Sequence, residues 1–291
     1  ATTDHPDHEE IEGTIEGTGV ADDEWMDGFV AAEASMIDIL WIVDNSCSMV
    51  EEQQTLSAMA VDFIDFLQAE GLDFQVAVVS TDNATLQGAV PIISATTPDP
   101  AAAFAQNVLL GTTGSGNEQP LNFGYQAVTP PMSAPGGPND GFLRTQAGLA
   151  LIALSDEDDQ SPGGGPAWAA SIEALKDDPD AVTFSAVHGL LTGCSGAGGG
   201  AYAGPRLHEV VEATGGAEVS ICDADWMPVL ETIPAMVAQA QATFPLTFQP
   251  IPSTLQVTVE GAELTEGWTY DEPGNAVVFD ADHVPEPGQE I

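Results

Sequence analysis

Basic residues are almost absent from this chain. Its 291 residues include 3 lysines and arginines against 46 aspartates and glutamates, which gives a formal net charge of −43 at pH 7. A surface of this charge repels the phosphates of nucleic acids and of anionic lipids, which disfavours both as partners. It attracts divalent cations and basic protein surfaces. Adaptation to a salt-rich environment produces the same composition, and the sequence leaves both explanations open.

Long apolar runs are also missing. No uninterrupted apolar stretch approaches the roughly 20 residues that a membrane-spanning helix requires. The sequence opens at Ala1 with a polar, acidic stretch, in which we expect no secretory signal peptide. We therefore expect a processed N-terminus or a fragment of a longer protein, with a lipid anchor upstream of Ala1 as a further alternative.

Cysteine is scarce, and its three residues differ in their surroundings. Cys194 and Cys222 lie in glycine-rich or loop-like segments that the predicted topology brings close together. A disulfide between them would place the protein in an oxidising compartment, secreted or at the cell surface. Cys47 remains, and we expect it to be a small buried side chain.

Strand and helix patterns alternate along most of the chain. Nearly continuous apolar runs predict buried parallel strands at Met36–Val43, Phe74–Val79, Ala147–Ser155 and Ala181–Val187. Between them, apolar residues at helical spacing predict amphipathic helices, the last a long one over Trp226–Ala242. The stretch Gly193–Gly200 is expected to be a flexible loop. The fold class is therefore α/β, with an open, mostly parallel, doubly wound sheet flanked by helices.

The periodicity changes near residue 244. From there apolar residues alternate with a period of two and Gly and Pro interrupt the runs, which predicts a small antiparallel β unit over 244–291. We expect residues 36–243 to form the α/β domain. Residues 1–35 form a polar segment that could add a strand to the C-terminal unit.

Oxygen-bearing side chains follow two of the predicted strands. The segment Asp44-Asn45-Ser46-Cys47-Ser48 comes directly after the first strand, and Asp156 follows the strand that ends at Ser155. In open parallel sheets, ligands bind in the crevice beyond the carboxyl ends of the strands. Carboxylates and hydroxyls without imidazole or thiolate suit Mg²⁺ or Ca²⁺ and disfavour zinc.

A third group of oxygen donors lies in the glycine-rich loop before Pro120. Three of its side chains compete as ligands: Thr113, Ser115 and Glu118. The run from Glu157 to Asp159 is expected to be solvated loop charge. Asp82 also follows a strand, but an Asp-Asn pair favours a turn, so we interpret Asp82 as a turn residue.

Two of these stretches resemble a known protein family. Ile37–Met49 and Leu151–Asp159 are similar to von Willebrand factor type A (vWA) domains with a metal-ion-dependent adhesion site (MIDAS), and the similarity covers about residues 36–243. Secreted or surface-anchored bacterial members also carry a late Ile-Cys-x-x-x-Trp stretch, here Ile221–Trp226, and a C-terminal β segment. In the family, Asp-x-Ser-x-Ser and a later Asp bind the metal. The resemblance implies a divalent cation, Mg²⁺ or Ca²⁺, at Asp44, Ser46, Ser48 and Asp156.

The chain departs from the family pattern at two places. The second loop lacks the usual Gly-x-Thr-x-Thr, so the family's Thr ligand has no clear counterpart. A glutamate there, Glu118, would add charge and favour Ca²⁺. Cys47 stands where the family usually has Gly.

The resemblance implies an extracellular or cell-surface adhesion module whose cation coordinates an acidic group of a protein partner. The alternative is a structural subunit of a surface assembly or filament, which binds copies of itself and in which the metal only stabilises loops. We expect no enzymatic activity, because the sequence has no Gly-x-Ser-x-Gly motif and no evident general base near the acidic cluster.

Overall fold

The protein is built around a six-stranded sheet. The computed structural model describes residues 25–31, 36–176, 178–196, 199–234, 237, 242–280, 282–286 and 288–291. The strands of the first part of the chain are β1 (Met36–Val43), β2 (Asp73–Ser80), β3 (Ile93–Ser94), β4 (Gly148–Leu154), β5 (Val182–His188), β6 (Cys194–Gly196), β7 (Gly199–Ala201) and β8 (Glu218–Ser220). The sheet has the order β3-β2-β1-β4-β5-β8, and only the β2–β3 pair is antiparallel.

Helices cover both faces of this sheet. They are α1 (Val50–Ala58), α2 (Ala60–Ala69), α3 (Pro100–Asn107), α4 (Pro120–Ala127), α5 (Gly165–Glu173) and α6 (Pro205–Ala213). Proline occupies the first or second position of α3, α4, α5 and α6. It suits that place because its fixed φ is already helical and its missing N–H would have no partner there. None of the described helices is long and apolar enough to cross a membrane.

The side chains of β1 alternate between two hydrophobic cores. Ile39 and Trp41 pack with Phe63 of α2 on one face, while Leu40 and Ile42 pack with the α4–α6 layer on the other. A strand that is buried on both faces must be apolar throughout, which explains the continuous runs in the sequence. The predicted α/β class, with an open and mostly parallel sheet, is confirmed. The strand order changes direction at the centre of the sheet: β2 and β3 lie on one side of β1, whereas β5 and β8 lie on the far side of β4. The crevice therefore lies at the carboxyl ends of β1 and β4.

Two local predictions need correction. The glycine-rich stretch expected to be a loop contains a hairpin, in which Cys194 of β6 pairs with Ala201 of β7. The expected disulfide between Cys194 and Cys222 is present and ties this hairpin to the segment after β8. The long helix predicted over Trp226–Ala242 starts instead as a 3-10 turn, Met227–Leu230, and part of the remainder lies outside the described residues.

The C-terminal part forms small antiparallel sheets, as predicted. Its strands are β9 (Thr243–Pro245), β10 (Val257–Val259), β11 (Ala262–Leu264), β12 (Trp268–Asp271) and β13 (Ala276–Phe279), in the orders β12-β13-β9 and β10-β11. Residues 29–31 run antiparallel to 288–291, with Phe29 N–H donating to the Ile291 carbonyl at 3.0 Å. Phe29 also packs on the local core around Phe244. The other residues of the predicted 1–35 segment are described only in part, since 1–24 and 32–35 lie outside the described ranges.

Candidate cation site at the carboxyl edge of the sheet

The central strands bring Asp44 and Ser155 next to each other. Val43, the last residue of β1, is in register with Leu154, the last residue of β4. The pairing continues for one residue beyond the strands, since Asp44 N–H donates to the Leu154 carbonyl at 2.9 Å. Segments 111 residues apart in the chain therefore meet at the centre of the crevice.

Asp44 is fully buried and held by two short hydrogen bonds. Its Oδ1 accepts from the Ser46 N–H at 2.7 Å, and its Oδ2 accepts from the Ser155 hydroxyl at 2.7 Å. Burial raises the pKa of Asp44, hydrogen bonds from Ser155 and Ser46 oppose this, and the charge of Asp156 raises it further. An ionised Asp44 is therefore costly in this place unless positive charge is supplied.

The two serines of the first loop place their hydroxyls side by side. Ser46 Oγ and Ser48 Oγ lie 3.3 Å apart. Gln53 of α1 fixes this loop to the next one, because its Nε2 donates to the carbonyls of Asp44 at 2.8 Å and Gly111 at 2.9 Å. Gln53 is buried, and sequence reasoning missed it, since a glutamine inside a helix carries no positional signal.

Asp156 carries a buried carboxylate oxygen without a partner. The residue is 7% exposed, and its Oδ1 has no hydrogen bond to any described group. Its backbone carbonyl accepts from the Tyr202 N–H at 2.8 Å, which joins the loop after β4 to the residue that follows β7. Buried polar atoms are nearly always hydrogen-bonded, so an orphan carboxylate oxygen beside Asp44 fits a site that a cation completes.

The three competing residues of the second loop have different environments. Thr113 is exposed to solvent, and Ser115 uses its hydroxyl to accept from the Asn117 N–H at 3.0 Å. Glu118 is buried, and its Oε2 accepts from Gln160 Nε2 at 2.7 Å. Burial, together with the charges of nearby carboxylates that include Asp44, raises the pKa of Glu118 to about 7. Of the three, only Glu118 is both buried and within the electrostatic reach of Asp44.

Asp82 lies in a turn, as predicted, and it also connects that turn to two other loops. Its carboxylate accepts from the Ser80 hydroxyl at 2.6 Å, from Asn45 Nδ2 at 3.2 Å and from the Ser115 N–H at 2.9 Å. Partial burial raises the pKa of Asp82, but these hydrogen bonds outweigh it and lower the pKa overall. The neighbouring Thr81 is fully buried and its hydroxyl has no partner. The position of both at the end of β2 is the signal that could have identified them.

The acidic run after Asp156 is not solvated as expected. Asp159 is buried, accepts from the Leu121 N–H at 3.1 Å and forms an ion pair with Arg206 at 3.1 Å. Asp158 accepts from the backbone N–H groups of Arg206 and Leu207 at the start of α6. The prediction was wrong for these two residues because the N-termini of α4 and α6 converge on the run and offer unpaired N–H groups.

Cys47 is likewise not buried. It is a free, exposed thiol at the tip of the first loop, between the two serines. Ser46 and Met49 occupy the buried positions of this loop, which leaves Cys47 on its solvent side. The expectation of a small buried side chain was wrong.

The donor set is one of oxygen atoms. Among the described residues, no group of three or more His, Cys, Asp or Glu side chains is arranged to hold a metal ion. The donors available at the crevice are the carboxylates of Asp44 and Asp156 together with the hydroxyls of Ser46 and Ser48. Two carboxylates supplemented by hydroxyls and water are typical of a hard divalent cation.

Comparisons with known proteins give structural likeness without sequence similarity. No family model matches the chain, and no curated protein matches it significantly. Structures of proximal thread matrix protein 1 from the mussel byssus are similar: one shares 13% identity at a TM-score of 0.41 over 72% of this chain and 47% of that chain. Another, with a zinc-occupied MIDAS motif, shares 14% identity at a TM-score of 0.44 over 72% and 47%. The chain thus spans about half the length of these proteins.

Proposed function

We propose that this protein is an extracellular, metal-dependent binding module of the vWA type. A divalent cation at the carboxyl edge of the sheet would be held by Asp44, Ser46, Ser48 and Asp156, and it would coordinate an acidic group of a protein partner. The observation that carries the proposal is the buried, unpartnered Oδ1 of Asp156 beside the buried carboxylate of Asp44. Two such groups destabilise each other unless a cation lies between them.

The overall charge supports an acidic partner group that is bound through metal. At a net charge of −43, a carboxylate approaching this surface is repelled at every point where no cation is present. A bound divalent ion is the largest local charge in such a site and reverses this preference. The same charge favours partners whose acidic group is surrounded by basic residues.

Binding rather than catalysis is favoured by the state of the nearby histidines. His188 at the end of β5 is fully buried, and its Nε2 lies 3.1 Å from Glu218 Oε2. His208 lies 3.0 Å from Oε1 of the same glutamate. Both rings thus contact the same carboxylate, while Nδ1 of His188 is buried without a hydrogen bond to any described group. The disulfide between Cys194 and Cys222 supports an oxidising, extracellular location.

Calorimetric titration with MgCl₂ and with CaCl₂ tests the cation site. We expect wild-type protein to bind at least one of the two ions, and Asp156→Asn to weaken that binding by about tenfold or more. Asp65→Asn is the matched control, because it removes one carboxylate from an exposed position of α2 and should leave affinity unchanged. The proposal is refuted if the wild-type protein binds neither ion, or if the Asp156→Asn variant binds with the affinity of wild type.

A second candidate is a subunit of an assembly formed by copies of this chain. The supporting observation is a group of exposed apolar side chains from the C-terminal unit and from the segment before β1. Trp25 is 75% exposed, Ile251 69% and Phe248 49%, and the rings of Trp25 and Phe248 lie 4.3 Å apart. Light scattering with 5 mM CaCl₂ and with a chelator distinguishes the candidates, since a monomer at high concentration in both conditions contradicts assembly.

A further inference from the structure

A second buried carboxylate without a partner lies beside the candidate site. Glu52, in the first turn of α1, is 7% exposed, and its Oε2 makes no hydrogen bond to any described group. Neither the Asp-x-Ser-x-Ser motif nor the later Asp includes it. An orphan carboxylate in this position needs an explanation, because leaving a buried charge unpaired is among the most costly arrangements in a protein.

The surroundings of Glu52 place it on the same crevice as Asp156 and Asp44. The negative charges of Asp156 and Asp44 both act on its carboxylate. The β6–β7 hairpin covers it from above, since a Cβ at Gly199 would lie 3.2 Å from Glu52 Oε1. The same hairpin continues to Tyr202, whose N–H donates to the Asp156 carbonyl. Glu52 and Asp156 thus lie under one hairpin with one unpartnered oxygen each.

The helix terminus alone does not account for this arrangement. A glutamate in the first turn of a helix interacts favourably with the helix dipole, and Glu51 benefits from this as much as Glu52. Glu51, however, is exposed, as a residue stabilised only by the dipole can be. The backbone N–H of Glu52 itself interacts with the carboxylate, but Oε2 stays buried without a partner, and the helix dipole does not explain this.

We propose that Glu52 is a further acidic group of the cation site, and that it strengthens cation binding through the water molecules of the ion. The inference rests on the cation site proposed above. Because no three acidic side chains converge as direct ligands among the described residues, Glu52 acts on the water molecules of the ion. Both Ca²⁺ and Mg²⁺ keep water ligands when they are bound through one or two carboxylates, and Mg²⁺ gives up its waters especially reluctantly. A carboxylate at the rim of the shell accepts hydrogen bonds from these waters and adds negative charge near the ion, so it strengthens the binding of either ion.

The test compares Glu52→Gln with Glu51→Gln, two isosteric changes in adjacent residues of one helical turn. We expect Glu52→Gln to lower the affinity for whichever of Ca²⁺ and Mg²⁺ the wild type binds by about tenfold or more. The same variant should raise the melting temperature of the cation-free protein by about 2 °C or more, because it removes a buried charge. Glu51→Gln should change neither quantity.

The outcomes separate this inference from the proposal on which it rests. If wild type binds Ca²⁺ and Glu52→Gln binds it equally well, the role of Glu52 is refuted while the cation site stands. If wild type binds neither ion, both are refuted. Should Glu52→Gln fail to fold, Glu52→Asp keeps the charge one methylene shorter, and a Ca²⁺ affinity equal to that of wild type would refute the role of Glu52.

Discussion

The buried ion pair between Asp38 and Arg144 offers the sharpest test of the structure. Asp38 lies within β1, is fully buried, and accepts from Arg144 Nε at 2.7 Å and from the Arg144 backbone N–H at 2.6 Å. The guanidinium also donates to the carbonyls of Ile37 and Asp73 at 2.9 Å each. Arg144 therefore compensates the one carboxylate that interrupts the apolar run of β1.

The change Arg144→Gln removes the charge and three of these hydrogen bonds. Breaking a buried pair from one side costs about 3–5 kcal/mol, because the remaining charge is left uncompensated. Asp38 keeps its backbone hydrogen bond in the variant, so we expect a loss of about 3–4 kcal/mol in the free energy of unfolding at pH 7. The double variant Asp38→Asn/Arg144→Gln should recover about 2 kcal/mol of this loss, since the orphan charge is gone.

The loss of stability caused by Arg144→Gln should become smaller as the pH falls. Burial raises the pKa of Asp38 above its ordinary value, and the hydrogen bonds and charge of Arg144 oppose that rise. Without Arg144 the pKa of Asp38 in the folded protein rises further. Its carboxyl group therefore accepts a proton at a higher pH in the folded state than in the unfolded state. The stability of the variant relative to wild type is therefore lowest at pH 7 and increases as the pH falls through the raised pKa.

Urea unfolding followed by tryptophan fluorescence, at pH 7 and pH 5, measures these quantities. Asp73→Asn is the matched control. Asp73 lies 3.0 Å from the other side of the same guanidinium, but its side chain is 49% exposed, so its loss should cost at most about 1 kcal/mol. A cost below about 1 kcal/mol for Arg144→Gln, or an equal cost at both pH values, would refute the reasoning.

Three further predictions concern other parts of the chain. Replacing both Cys194 and Cys222 by serine should cost about 3.5 kcal/mol in urea unfolding, because the bond closes a loop with a sequence separation of 28. A negligible cost would contradict it. Cys47 should react with a thiol reagent in the native, unreduced protein, since it is free and exposed. A thiol that reacts only after denaturation would contradict the exposed position of Cys47. Burial lowers the pKa of His188 despite the Glu218 contact, so the neutral ring stabilises the fold above pH 6.5 and this contribution is lost on acidification. His188→Gln should flatten the dependence of melting temperature on pH between 7.5 and 5.5. An unchanged slope would contradict the lowered pKa of His188.

The alternation of buried strands and amphipathic helices was sufficient to predict the architecture. β1 and β4 are apolar on both faces, and such runs fit only a sheet covered by helices on both sides. The hairpin β6–β7 could not be predicted in this way. Its residues are mostly Gly, Ser and Ala, which have little strand propensity, and the disulfide at Cys194 holds them in place.

The candidate site was predictable only where its residues follow strands in the sequence. Asp44 comes directly after β1 and Asp156 comes two residues after the end of β4, and parallel strands in register bring these ends together. Asp82 was placed in a turn by its local sequence, although its hydrogen-bond partners come from three segments. Glu52 gave no signal at all, because an acidic residue in the first turn of a helix is ordinary.

The sequence by itself determined the sheet, the order of its elements and the oxygen character of the crevice. These follow from local periodicity and from residue types at strand ends, which do not depend on distant parts of the chain. Only the tertiary structure decided which acidic residues are buried. Glu51 and Glu52 are neighbours of the same type, yet one faces water and the other lies unpartnered beneath a hairpin that begins 142 residues after Glu52. Burial is a property of everything that packs around a side chain, and it sets the electrostatic cost of a carboxylate and hence its capacity to attract a cation.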